Sequence, residues 1–149
     1  MSQYNDEIMR FLKRSVSADS GTFSESDTTS TSSPATFAIQ TQDAPVSLAS
    51  SVAAPPTSTV SLFEGSTISG GTPAPYIDLG DDTGGSLVNL TVSPTIDVAA
   101  SVVLSVLQTT VKDIGTIILK PNTTYVFEVT SASVTPEPVL FGGVVRRVV

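Results

Sequence analysis

The chain contains no cysteine, no histidine and no tryptophan. Without cysteine there are no disulfides, and without cysteine or histidine there is no zinc site of the usual kind. Histidine-dependent acid–base chemistry and every Ser-His-Asp or Cys-His nucleophile system are excluded as well. Basic residues are nearly missing from the middle. After Arg14 the next lysine or arginine is Lys112, and acidic residues such as Asp19, Glu25, Asp27, Asp43, Glu64, Asp78 and Asp97 fill the interval. The formal net charge is -7 over 149 residues. Such a surface repels phosphate, so nucleic acid is not an expected partner. No apolar run is long enough to span a bilayer. The start, M-S-Q-Y-N-D-E-I-M-R-F-L-K-R, is charged throughout, and no secretory signal is expected there.

What is present is a series of short runs rich in valine, threonine and serine. The sharpest is Gly115 to Thr130, G-T-I-I-L-K-P-N-T-T-Y-V-F-E-V-T. Its alternation reads as strand, turn, strand, with Pro121-Asn122 as the turn. We expect a hairpin here, with Tyr125, Phe127 and Val129 facing the core and Glu128 facing solvent. Thr36 to Ile39, Val46 to Val52, Thr59 to Phe63, Leu87 to Ser93, Val98 to Thr109 and Val139 to Val149 supply further strand candidates. Gly142-Gly143 in the last of these signals a bulge or a close backbone approach. Between Gly65 and Gly85 the glycines and prolines suggest loop. Six to eight short strands at this spacing indicate an all-β sandwich or barrel.

The N-terminal end differs. Ser2 to Val16 has a helical period, with Ile8, Phe11 and Leu12 on one face and Tyr4 a turn earlier. Asp6 and Glu7 near its start and Lys13 and Arg14 near its end suit the helix dipole. Ser17 to Ser33 is acidic, rich in serine and threonine, and poor in large apolar residues, which reads as a linker. The expected organisation is therefore an arm over residues 1–35, beginning in a short helix, and a β-sandwich body over residues 36–149. Tyr4, Ile8, Phe11 and Leu12 are candidates for docking on a partner. Arg146 and Arg147 are a basic pair near the C-terminus, read either as a partner contact or as charges guarding an edge strand.

Three local motifs admit a chemical reading. Asp82-Thr83-Gly84 is the tripeptide of aspartic proteases, in which two carboxylates share a proton. Gly85 stands where those enzymes carry a small non-glycine residue, no hydrophobic strand leads into Asp82, and no flap hairpin lies between. A chance acidic turn accounts for it better. Asp78, Asp81 and Asp82 could offer oxygen ligands to calcium, but D-L-G-D-D-T-G-G does not follow the EF-hand spacing. Asn89-Leu90-Thr91 and Asn122-Thr123-Thr124 match the glycosylation sequon, as chance allows in so threonine-rich a chain. No catalytic residue, cofactor or metal is expected.

S-G-G-T-P-A-P-Y-I-D-L-G from Ser69, L-V-N-L-T-V-S-P-T from Leu87, and T-I-I-L-K-P-N-T-T-Y-V-F-E-V-T from Thr116 together resemble the accessory head proteins of tailed bacteriophages, the decoration or cement class. The likeness lies in Thr/Val-rich strands leading to an L-K-P-N-T-x-Y turn and a strand ending in threonine. It covers roughly the C-terminal half. Asp113-Ile114-Gly115 departs from it, where the family shows charged or aromatic residues. The resemblance implies a sandwich or jelly-roll body on the outside of an icosahedral virion, often a trimer, made in the host cytoplasm. Its partner would be the major capsid protein, with the arm crossing neighbouring subunits. The alternative is a tail, fibre or adhesin module that binds a receptor or glycan. A retroviral-type protease is the remotest reading.

Overall fold

A computed structural model of the chain describes residues 20–56, 58–74, 77–78, 87–98, 101–108 and 111–148. The expected helix over Ser2–Val16 and the Asp82-Thr83-Gly84 tripeptide lie outside the described residues. Every described regular element is a strand. In chain order they are β1 Ser20–Thr29, β2 Ala35–Thr41, β3 Val46–Ala53 and β4 Ser58–Glu64. Five short strands follow: β5 Thr67–Ser69, β6 Thr72–Ala74, β7 Ile77–Asp78, β8 Val88–Val92 and β9 Thr95–Val98. The return half comprises β10 Ser101–Gln108, β11 Val111–Leu119, β12 Thr124–Thr130 and β13 Glu137–Arg147.

The pairing is nested. β1 pairs with β13, β2 with β12, β3 with β11 and β4 with β10, all antiparallel. The chain is thus one long antiparallel ribbon whose two halves close on each other from the outside inwards. Folded over, the ribbon yields two sheets. Sheet A runs β11-β3-β13-β1-β7 and sheet B runs β10-β4-β12-β2-β8-β6. Four consecutive strands in each sheet, drawn alternately from the two halves of the ribbon, make this a jelly roll. The all-β sandwich expected from the strand pattern is the observed architecture.

Alternation supplies the core. Val46, Leu48 and Val52 of β3, Val60 and Leu62 of β4, and Tyr125, Phe127 and Val129 of β12 are all buried and belong to one cluster. Phe141 is its hub. Its ring centroid lies 5.1 Å from Phe23 and from Phe37, and 4.6 Å from Phe127. Such offset aromatic contacts add to the stabilisation from burial itself. Gly143, two residues on from Phe141, allows β3 to approach: a Cβ there would stand 2.5 Å from the Ala49 carbonyl oxygen. Register continues unbroken through Gly142 and Gly143 on both sides, so they mark a close approach and not a bulge.

Three expectations need correction. First, Gly115–Thr130 is not a hairpin. β11 pairs with β3 in sheet A, whereas β12 pairs with β2 and β4 in sheet B. Lys120–Thr123 therefore forms an arch between sheets. Thr41 holds it: its Oγ1 donates to the Lys120 carbonyl at 2.6 Å and accepts the Thr123 N–H at 2.9 Å. Asn122 takes a left-handed φ of 52°, which asparagine tolerates, and donates its N–H to the Gln42 carbonyl. The Tyr125 hydroxyl accepts the Lys120 N–H, and the Lys120 ammonium meets Glu64 on β4.

Second, the arm expected over residues 1–35 does not extend through residues 20–29. Ser20–Thr29 is β1, in continuous register with β13 over its whole length. Composition suggested a linker because Phe23 is its only large apolar residue. That ring is 5% exposed, against Phe141, and outweighs the polar remainder. Asp27, apparently a linker charge, clasps the two sheets. Its carboxylate accepts the Ser93 hydroxyl at 2.7 Å and the Thr36 N–H at 3.4 Å. Third, β13 is no edge strand: β3 and β1 flank it. Arg146 and Arg147 therefore do not guard an edge.

Residues 65–98 leave the ribbon between β4 and β10 and return to it. β5 departs from the Glu64 end of β4, and β6 begins level with Val92, beyond β8 and at the opposite end of sheet B. β5 and β9 pair with each other in a separate two-stranded sheet. Ala38 and Val126, on the outer face of sheet B, are 1% and 0% exposed, so that face is covered there. Glu128, two residues from Val126 on that face, is half-buried, and desolvation raises its carboxyl pKa.

Candidate functional site: the outer face of sheet A

The outer face of sheet B is covered at Ala38 and Val126, whereas Ile118 and Leu140 on the outer face of sheet A are exposed. On sheet A the outward positions include Ser47, Ala49 and Ser51 on β3, Leu140, Val144 and Arg146 on β13, Ser20, Thr22, Ser24, Ser26 and Thr28 on β1, and Thr116 and Ile118 on β11. This is a consequence of period two. In V-S-L-A-S-S-V-A the large residues face inwards and every outward position is serine or alanine. The face is small-chained, with Arg146 as its only charge among these positions.

Register places the residues in rows across the strands. Ile118, Ser47, Arg146 and Ser20 form one row, and Thr116, Ala49, Val144 and Thr22 the next. Between the larger side chains lies a shallow cleft of about 290 Å³, lined by Ser47, Ala49, Thr116, Val144 and Arg146. Two large apolar side chains stand proud at opposite ends of the face, Ile118 at 59% exposure and Leu140 at 54%. Exposed leucine and isoleucine flanking a patch of small residues are suited to contact with a protein surface.

Of the candidates read from sequence, Arg146 lies on this face at the cleft and Arg147 follows it, exposed, at the strand end. Tyr4, Ile8, Phe11 and Leu12 lie outside the described residues. So do Asp81 and Asp82, and of Asp78 only its backbone place in β7 is described. Among the described residues no cluster of three acidic, cysteine or histidine side chains could hold a metal ion. Sequence reasoning missed the outer face because its signal is what its side chains lack, size and charge. The alternation in β3 and the serines of β1 carried that signal.

Comparison with protein-family models, with curated proteins and with solved structures finds no match. The reading of the site thus rests on its own geometry.

Proposed function

We propose that the chain is a non-catalytic structural protein of a virion, one that docks on and stabilises a bacteriophage capsid, the outer face of sheet A resting on the shell. The observation that carries this reading is that face: built of small side chains, flanked by exposed Leu140 and Ile118, on a body whose opposite face is covered at Ala38 and Val126. A broad, shallow surface matches a protein partner better than a small-molecule substrate, which needs a concave pocket. The sequence resemblance to decoration proteins points the same way, and jelly rolls recur among viral coat domains, an analogy of fold and not of site. Many copies on one shell would add avidity to a modest individual contact.

The aromatic inventory weighs against the glycan-binding alternative. Phe23, Phe37, Phe127, Phe141 and Tyr125 are all buried in the core, so none of them offers a platform for stacking sugars. The test is made on particles. The copy number of the chain in purified virions is measured by mass spectrometry, and recombinant chain is rebound to stripped particles. Stoichiometric presence on heads, with rebinding abolished by Ala49→Lys and Leu140→Lys together, supports the proposal. Absence from particles, or presence in tails alone, refutes it.

A further inference from the structure

The two sheets have four edges, and they are not alike. In sheet A one edge is β7, only Ile77–Asp78, and the other is β11. β11 carries Lys112 and Asp113 and is interrupted by the bulge at Gly115, whose φ is 84°. In sheet B one edge is β6, Thr72–Ala74 with Pro73 at its centre. Short length, charge, bulges and proline are the devices by which natural sheets block unwanted pairing. The fourth edge is β10, S-V-V-L-S-V-L-Q, eight residues with no charge, proline or glycine. Its one irregularity falls between Val102 and Leu104, and from Leu104 to Gln108 it runs in regular register with β4. Its outer row of backbone N–H and C=O groups has no partner strand among the described ones.

We propose that β10 is a homodimer edge: Leu104–Gln108 pairs antiparallel with the same residues of a second copy across a two-fold axis, joining two six-stranded sheets. Three features select a second copy as the occupant. A strand paired antiparallel with its own copy is isologous, so each contact is made twice and the assembly closes at two. The charge distribution restricts where two such bodies can meet, because each carries -7 and they repel. Residues 98–111 contain no Asp, Glu, Lys or Arg, so no like-charge cross-strand pair arises at this edge. Growth then stops, because the far edge of each sheet is β6 with its proline. The same logic disfavours a trimer at this edge. A three-fold ring needs two different edges to meet, and the other three are blocked.

The test uses the full-length chain. Mass is followed by sedimentation velocity over a concentration series, and amide exchange of the peptide spanning β10 is followed over the same series. We expect a dimer whose β10 amides exchange at least tenfold more slowly above the dissociation midpoint than below it. Ser105→Lys, level with Ser61 of β4, should yield a monomer with an unchanged circular dichroism spectrum. Ser26→Lys, on the outer face of sheet A, should leave the dimer intact. A chain monomeric at every concentration, a trimer, or a dimer that Ser105→Lys leaves intact would each overturn the proposal. So would protection of β10 that does not vary with concentration, since another segment of the same chain would then cover the edge. The exchange series on the parent chain decides the matter even if Ser105→Lys does not fold.

Discussion

The Phe141 ring of sheet A lies 4.6 Å, centroid to centroid, from the Phe127 ring of sheet B. This contact joins the last strand of the chain to the strand before it, across the sandwich. It also sets the strongest prediction. Phe141→Ala removes a 1%-exposed ring with three aromatic neighbours. It should cost about 3–5 kcal/mol. Leu140→Ala, one residue away and facing outwards, should change stability by less than about 0.5 kcal/mol. Chemical denaturation of the two variants measures the difference, and equal losses would mean that the faces of β13 are misassigned.

Thr41→Val keeps the shape of the side chain and deletes the hydroxyl that holds the arch. The Lys120 carbonyl and the Thr123 N–H then lose their partner. A loss of roughly 1–3 kcal/mol is expected. Val does not disturb β2 itself, so the transition should remain cooperative.

Ser50 makes the opposite case. Its Oγ is buried without a hydrogen-bond partner. Ser50→Ala removes a desolvated hydroxyl and leaves the carbon in place. The midpoint of denaturation should rise, by about 1 kcal/mol in stability. A marked fall would show that the hydroxyl bonds to ordered water.

Truncation separates the strand from what precedes it. Every residue of the described core lies at or after Phe23. A chain starting at Ser20 should keep a single cooperative melting transition. A chain starting at Pro34 lacks β1, uncovers one side of β13 and bares Phe141, and should lose that transition or melt far lower.

Glu128 gives a pH signature. Desolvation raises its folded-state pKa above the ordinary 4.5, so the native state holds the proton more tightly than the unfolded state does. Stability attached to this group is therefore lost as pH rises through the folded pKa. Glu128→Gln should melt higher than the parent at pH 7, and the advantage should vanish well below pH 4.5, where both side chains are neutral. A difference that persists in acid would assign the effect to packing.

Several strands were legible because alternation reports which face is buried. β2, β3, β4, β8, β12 and β13 fall on the runs expected from Thr36, Val46, Thr59, Leu87, Tyr125 and Val139. β1 was not legible. A single phenylalanine among serines, threonines and acids carries no local period, and only continuous pairing with β13 makes it a strand. The short strands from β5 to β7 escaped for the same reason: they exist through their partners.

Composition and alternation alone specify an all-β body without histidine or cysteine chemistry. They also place Tyr125, Phe127 and Val129 in the core, since composition and period two are local properties. How those strands pair depends on contacts between distant parts of the chain. Pro121-Asn122 looks alike in a hairpin and in an arch, because a turn's residues fix its backbone angles and not the partner of the strand that follows. Pairing of β11 with β3 and of β12 with β2 and β4 makes it an arch, and Thr41, far away in sequence, holds it. The same holds for the surface. Which outer face is covered, and which edge strand lacks a partner among the described residues, are set by the nested ribbon. No window of sequence contains those long-range relationships.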